Sequence, residues 1–343
     1  MLIDHDIARA DLPRLRLFTT GGTIASRRDP TTAAVAVAAS GEQLLARLPD
    51  LPALAELAVE PVASVNGWNM TPELMFDLAR RVNKTLAISA VDGVIVTHGT
   101  DTVEETAFLL DLLVWSPKPV VFAVALRHLD ELGTDGPRNL RDAIAVATSP
   151  ASHGRGTLLV ANQMIHAARF VTKIHTTSLN AFASPGCGPE GLLNGIAVEY
   201  LHPPRTRQVI EVDRVETRVL LLKAYAGADD SLFHHGIAAG YRGFVIEGTG
   251  SGNVPAAMVP GIEAALHAAI PVVLCSRVSE GPLTTTYGGG PAAHGGGHDL
   301  ASLGVIPAPG LPGQKARVML MVALGLTSDR EIIRRIFRDG TGA

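Results

Sequence analysis

Residues Val91–Leu113 read VDGVIVTHGTDTVEETAFLLDLL, and the fold turns on how this stretch is parsed. Val91, Val94, Ile95 and Val96 form a short apolar run of the kind that makes a strand buried on both faces of a parallel sheet. Val103, Ala107, Leu110 and Val114 recur at helical spacing and predict a helix with one apolar face. Between them lie His98, Gly99, Thr100, Asp101 and Thr102, a polar cluster at the carboxyl end of a strand, where open α/β sheets bind their ligands. Asp101 and Glu104 also have capping-box spacing, so a helix cap is the competing reading of that aspartate.

Upstream, a first strand over Leu15–Thr19 runs directly into TGGTIAS (Thr20–Ser26). Paired glycines there let the backbone turn sharply and approach a ligand closely. The small-residue stretch Arg27–Ser40 reads as a lid over that turn or as a surface loop. Leu57–Val65 predicts a strand, Thr71–Leu86 a helix, Pro119–Ala125 a strand, Asp135–Thr148 a helix and Thr157–Val160 a strand. This alternation predicts an α/β fold, a mostly parallel doubly wound sheet in a larger N-terminal domain over residues 1–204.

Pro203, Pro204 and the charged stretch to Thr217 read as a linker over 205–217. A smaller α/β C-terminal domain over 218–343 follows, with strands at Val219–Lys223, Phe244–Glu247 and Val272–Cys275 and helices at Asp230–Ala239, Val259–Ala268 and Gly313–Leu324. The last helix is expected to open on a capping box, Ser328–Glu331, with Ile332, Ile333, Ile336 and Phe337 on its apolar side.

At 343 residues and 47% hydrophobic content, the chain can fill two cores. A net charge of −4 gives no electrostatic reason to expect nucleic acid or an anionic membrane as partner. Cys187 and Cys275 are too few for a disulfide framework and read as reduced thiols. MLIDHDIARADLPRL lacks the continuous apolar core of a signal peptide, and no apolar run approaches membrane-spanning length. A soluble, cytoplasmic protein is the expectation.

Three polar sites place hydroxyls at or near predicted strand ends: Thr23, Thr100–Asp101 and Thr172–Lys173. A threonine hydroxyl is a weak nucleophile that needs a neighbouring base or a partner for its alkoxide. A desolvated lysine held by an aspartate is one such base. His294 and His298, in HGGGH, lack a third ligand for a metal. GTGSGN (Gly248–Asn253) lacks both the GxGxxG spacing and a ribose-binding acid about 20 residues on, so neither a metal nor a dinucleotide is expected.

TGGTIAS and VDGVIVTHGTDTVEETAFLLDLL together resemble the two threonine signatures of the bacterial-type L-asparaginases, in order and at about their separation. The resemblance continues through DGPRNL (Asp135–Leu140), VTKIHTT (Val171–Thr177), EGTGSGN (Glu247–Asn253), SRV (Ser276–Val278) and QKARVML (Gln314–Leu320). It implies Thr23 as nucleophile, Thr100 as second threonine, Asp101 as ligand of the substrate's α-ammonium group and Lys173 as the lysine completing the cluster. It also implies that Asn253 reaches a neighbouring subunit's site, in a homotetramer built as a dimer of dimers. The reaction implied is hydrolysis of the side-chain amide of L-asparagine, without metal or organic cofactor.

Three positions depart from the family pattern. The lid after TGGTIA usually carries a tyrosine; Arg27–Ser40 has none, and Tyr287 in LTTTYGGG is the nearest substitute by chemistry. The substrate-carboxylate loop, commonly Gly-Ser-Gln, is Asn66-Gly67-Trp68 here, leaving Asn66, Trp68 or Ser64 to take over part of that binding. The family's C-terminal-domain glutamate has Glu280 as its closest acid. An amidase preferring glutamine or another amino-acid amide, or a binding relative without turnover, are the rival readings. A pure binding protein has no need of both threonines and the lysine.

Overall fold

Strand β1 (Arg14–Gly21) puts Leu15 and Leu17 on one face and Phe18 on the other, and all three are buried. The same two-residue alternation runs through β3 (Gly93–Thr97) and β4 (Val120–Ala123): Val94, Val96, Val120 and Phe122 face one way, Ile95, Val121 and Ala123 the other. A sheet with two apolar faces needs helices on both sides. Pro72–Leu86 and Val103–Leu113 cover the Phe18 face; Gly41–Leu45 and Gly136–Thr148 cover the Leu17 face. This computed structural model describes residues 12–339, so most of the N-terminal stretch read against a signal peptide lies outside the described residues.

With β2 (Glu56–Val65) and β5 (Thr157–Ala161), five parallel strands lie in the order 2-1-3-4-5. Beyond β5 the sheet turns antiparallel through β6 (Met164–Ala167), β7 (Gly191–Asn194) and β8 (Ala197–Tyr200). The sequence pattern predicts no strands there. The β5–β6 turn is Asn162-Gln163, both with positive φ, without the glycine that usually marks such a turn. A second, wholly parallel sheet holds β9 (Val219–Lys223), β10 (Gly243–Gly248), β11 (Val272–Ser276) and β12 (Ile306–Pro307). Residues 205–217 run between the two sheets without helix or strand.

Within Arg27–Ser40 the chain forms a short hairpin, Ser26–Arg28 pairing with Val35–Val37, and Ser40 caps the following helix. Two local expectations are corrected. The last helix, Arg330–Asp339, is opened by Asp329, whose carboxylate accepts from the N–H groups of Glu331 (2.8 Å) and Ile332 (3.3 Å); Ser328 is one residue too early. Val103–Leu113 has no single apolar face, because nearly every residue in it is buried. Its outer side is covered by Gly313–Leu326, which also packs under the second sheet through a core holding Val245, Val273, Val318 and Leu320.

In the first turn of that covering helix sits Lys315, fully buried. Its ammonium donates to the carbonyls of Ala168 (2.8 Å), Arg169 (3.0 Å) and Val171, and lies 5.9 Å from the Phe108 ring centroid. Burial pulls its pKa down to about 7, opposed by the nearby Glu104 carboxylate. Lys315→Met keeps an unbranched apolar stem but leaves those carbonyls without their donor. A loss of at least about 1–3 kcal/mol is expected, the cost of leaving one buried acceptor unsatisfied. It should appear as a lower urea midpoint at unchanged slope; a variant as stable as the parent would refute this role.

Candidate active site

The order 2-1-3 reverses chain direction across the sheet between β1 and β3, and a crevice opens at the strands' carboxyl ends. Glycines close the distance between the three loops that meet there. Gly22 has φ +80°, and a Cβ on it would lie 2.3 Å from the Gly99 nitrogen. A Cβ on Gly99 would lie 2.6 Å from the Gly67 nitrogen. No side chain fits either contact, so the backbones after β1, β2 and β3 touch directly. Gly22 N–H donates to the Val65 carbonyl (2.9 Å) and the Thr102 hydroxyl to the Gly67 carbonyl (2.6 Å), fixing the loops' register.

Onto this junction comes Lys173, from the hairpin in which Thr172–Lys173 pairs with Phe182–Ala183. Its ammonium donates to Thr100 Oγ1 (2.8 Å) and to Asp101 Oδ1 (2.7 Å). The lysine side chain is 16% exposed and that of Asp101 44%, so the carboxylate stands at the mouth and the lysine behind it. The helix begins at Val103 with Thr102 at its N-cap and no side-chain cap, which removes the capping reading of Asp101. Thr100 is buried. Thr23 opens the short 3₁₀ turn Thr23–Ala25; it is half-buried, and its hydroxyl makes no hydrogen bond to the described residues. A charge-assisted donor on Thr100 Oγ1 favours negative charge developing on that oxygen, and Asp101 keeps its Oδ2 free for a cation.

Behind the cluster, His98 is fully buried. Its Nδ1 lies 2.8 Å from the Gly99 carbonyl, which can only accept, so Nδ1 carries the proton and Nε2 accepts from the Thr106 hydroxyl at 2.9 Å. Burial lowers its pKa to about 4, and the neutral ring serves as a spacer that ties strand β3 to its helix.

The remaining sequence candidates fall in two places. Gly67 is buried at the junction, Asn66 half-buried beside it, and Trp68 is 67% exposed, which rules out a core role for the indole. Asn253, Tyr287 and Glu280 belong to the second unit and share no hydrogen bond or ion pair with Thr100, Asp101 or Lys173. Asn253 Oδ1 accepts from Gly297 N–H (3.1 Å), Tyr287 is 61% exposed, and Glu280 Oε1 accepts from Gly186 N–H (3.2 Å) just past the Lys173 hairpin. Sequence reasoning gave no role to His98 or Lys315. Nothing in GQKARVMLMV sets Lys315 apart, since Gln314 and Arg317 stand in the same turn.

The family described as "Asparaginase, N-terminal" matches residues 14–206 and "Glutaminase/Asparaginase C-terminal domain" matches residues 218–337, one on each side of the strandless segment. A protein named "Probable L-asparaginase" from Deinococcus radiodurans is 40% identical over 96% of this chain and 99% of its own length. A component of the glutamyl-tRNA(Gln) amidotransferase of Methanothermobacter thermautotrophicus is 32% identical over 96% of this chain and 76% of its own. Among solved structures, the "Probable Cytoplasmic L-asparaginase" of Campylobacter jejuni superposes with a TM-score of 0.84 at 30% identity, covering 95% of this chain and 99% of that one. The fold and these matches define an amidohydrolase of two α/β units. More narrowly, the chain belongs to the bacterial-type asparaginase family.

His98 and His166 both have pKa values lowered to about 4 by burial. Unfolded imidazoles titrate near 6.5, so between about pH 6.5 and 4 the unfolded chain binds protons the folded one refuses, and stability falls as pH falls through that window. Each ring accounts for on the order of 3 kcal/mol lost by pH 4. Urea midpoints at pH 7 and pH 4.5 test this, with His98→Asn shrinking the difference. The carboxyls of Glu105, Asp111 and Asp142, held above their usual range by burial, act in the opposite direction, so the decisive comparison is between parent and variant, and an unchanged difference in His98→Asn would contradict it.

Proposed function

We propose that this chain hydrolyses the side-chain amide of L-asparagine to L-aspartate and ammonia. The observation that carries the reading is Lys173 bridging Thr100 and Asp101 beside the loop that bears Thr23. Thr23 Oγ1 attacks the carboxamide carbon, forming a C–O bond; the C–N bond breaks and ammonia leaves with the threonine's proton. Water then attacks the Thr23 ester, polarised by Thr100 with Lys173 behind it, and releases aspartate. Main-chain N–H groups of the glycine junction are the available donors for the oxyanion. The reaction as written uses no metal or organic cofactor.

Asp101 holds the α-ammonium group through its free oxygen, and the Asn66-Gly67-Trp68 loop meets the α-carboxylate. Asn253 and Glu280 complete the site of a neighbouring subunit in a homotetramer built as a dimer of dimers, and Tyr287 stands in for the absent lid tyrosine. The two units divide as residues 1–204 and 218–343 around a linker at 205–217. The cytoplasm is the proposed location; among the described residues no helix is long and apolar enough to cross a membrane. A second reading, preference for glutamine or another amino-acid amide, is favoured by one feature, the exposed indole of Trp68 where the family pattern has a small polar loop.

Ammonia release from L-asparagine, D-asparagine, L-glutamine and simple amides separates these readings. L-Asparagine should be the best substrate, and Thr23→Ala, Thr100→Ala and Lys173→Met should each lower kcat by about 10³-fold or more, as removal of one member of a catalytic unit does. Turnover only on glutamine or another amide would keep the chemistry and move the substrate. No turnover by a folded oligomer would leave a binding protein. Separately, Tyr287→Phe should cost about 10²-fold in kcat, the lower range for loss of a proton-transfer group. Near-normal turnover would remove Tyr287 from the mechanism.

A further inference from the structure

Away from the threonine cluster, a cavity of about 650 Å³ opens between the helix Val103–Leu113, the turn before Lys173 and the segment 205–208. Four guanidinium groups line it, and three are engaged. Arg205 donates to the buried Glu190 carboxylate (2.8 Å), and Arg155 lies 3.7 Å from the same carboxylate. Arg207 donates to the carbonyls of Asp111 (2.9 Å) and Ser116 (3.2 Å). Arg169 is different: among the described residues it makes no hydrogen bond and no ion pair, and its Nε is buried without a partner. Its guanidinium lies 5.7 Å from the centroid of the Phe170 ring. Gln208, which also lines the cavity, has its Oε1 buried with no donor.

A desolvated cation and a desolvated acceptor are both costly to leave unsatisfied. The charge balance says what would satisfy them. The Asp339 carboxylate is paired with Arg338 (3.1 Å), so four arginines face only Glu190 and Asp111, and the cavity keeps an excess of positive charge in which Arg169 is the guanidinium without a hydrogen-bonded partner among the described residues. The flat guanidinium fork matches a carboxylate in two parallel bonds, and the apolar residues beside it favour an acid with an apolar body over phosphate. Phe108, Leu112 and Phe170 supply an apolar wall.

We propose that this cavity binds a small monocarboxylic acid with an apolar body and a hydrogen-bond donor. The carboxylate sits on Arg169, and a hydroxyl or ammonium group donates to Gln208 Oε1. The site is separate from the threonine cluster and does not depend on the reaction proposed for it.

Isothermal titration of the full chain with L-phenyllactate, with 3-phenylpropionate (the same acid without the hydroxyl) and with inorganic phosphate tests this. L-Phenyllactate should saturate one site per chain, and Arg169→Gln should weaken it at least about tenfold, the loss of one charge-assisted bond. Gln208→Leu should reduce L-phenyllactate to the affinity of 3-phenylpropionate, and Asp101→Asn should leave binding unchanged. Arg169→Lys, which keeps the charge without the fork, provides the same comparison if the glutamine variant does not fold. The proposal is overturned by absence of saturable binding, by binding that survives both Arg169 variants, by loss in Asp101→Asn, or by phosphate binding the tighter.

Discussion

Among the contacts that join the two units of this protein is a buried ammonium. Lys315 stands on a helix of the second unit, and the carbonyls it holds, of Ala168, Arg169 and Val171, belong to the first. Those carbonyls end the turn that delivers Thr172–Lys173 to the site. A charge this deep is tolerated only because its donors are met. The position of Lys173, and with it the hydrogen bonds to Thr100 and Asp101, is therefore set by a side chain about 140 residues away in sequence. The second unit is part of the site even where none of its residues enters it.

The other half of the site is made by the backbone. Gly22, Gly99 and Gly67 touch where any Cβ would collide, so three strand ends converge to a spacing no other residue allows. Thr102, not Asp101, takes the N-cap position, and its hydroxyl is spent on the Gly67 carbonyl. The aspartate is thereby released from a structural duty and left at the mouth with one oxygen on Lys173 and one free. The polar residues of HGTDT divide the work: His98 and Thr102 hold the loop, Thr100 and Asp101 face the crevice.

What can be read from sequence follows from where each element's constraint resides. The parallel strands are legible because burial on both faces leaves a continuous apolar run, and Gly93–Thr97 and Val120–Ala123 carry little else. The strands Met164–Ala167, Gly191–Asn194 and Ala197–Tyr200 are not, since four residues give too little alternation and the Asn162-Gln163 turn lacks its usual glycine. Ser328 and Asp329 both fit a cap by spacing, and only the path of the chain chooses Asp329. Val103–Leu113 looks amphipathic in sequence because the helix that covers it, Gly313–Leu326, lies far along the chain. The meeting of Lys173 with Thr100 and Asp101 is legible by family resemblance alone, and Lys315 not at all, because a lysine that binds main-chain carbonyls leaves no partner residue to recognise.

One short turn concentrates these dependencies. Between Ala168 and Lys173 the chain gives three carbonyls to Lys315, turns the unpaired guanidinium of Arg169 into a cavity, and presents the ammonium of Lys173 to the threonine cluster. The two side chains are four residues apart and their backbone is clamped at the points between. Closely packed elements shift between discrete arrangements more readily than they stretch. The guanidinium of Arg169 leaves this turn for the cavity and the ammonium of Lys173 for the threonine cluster, so the two side chains serve different places from one stretch of main chain. The bonds of Lys315 to Ala168, Arg169 and Val171 fix the backbone from which both depart.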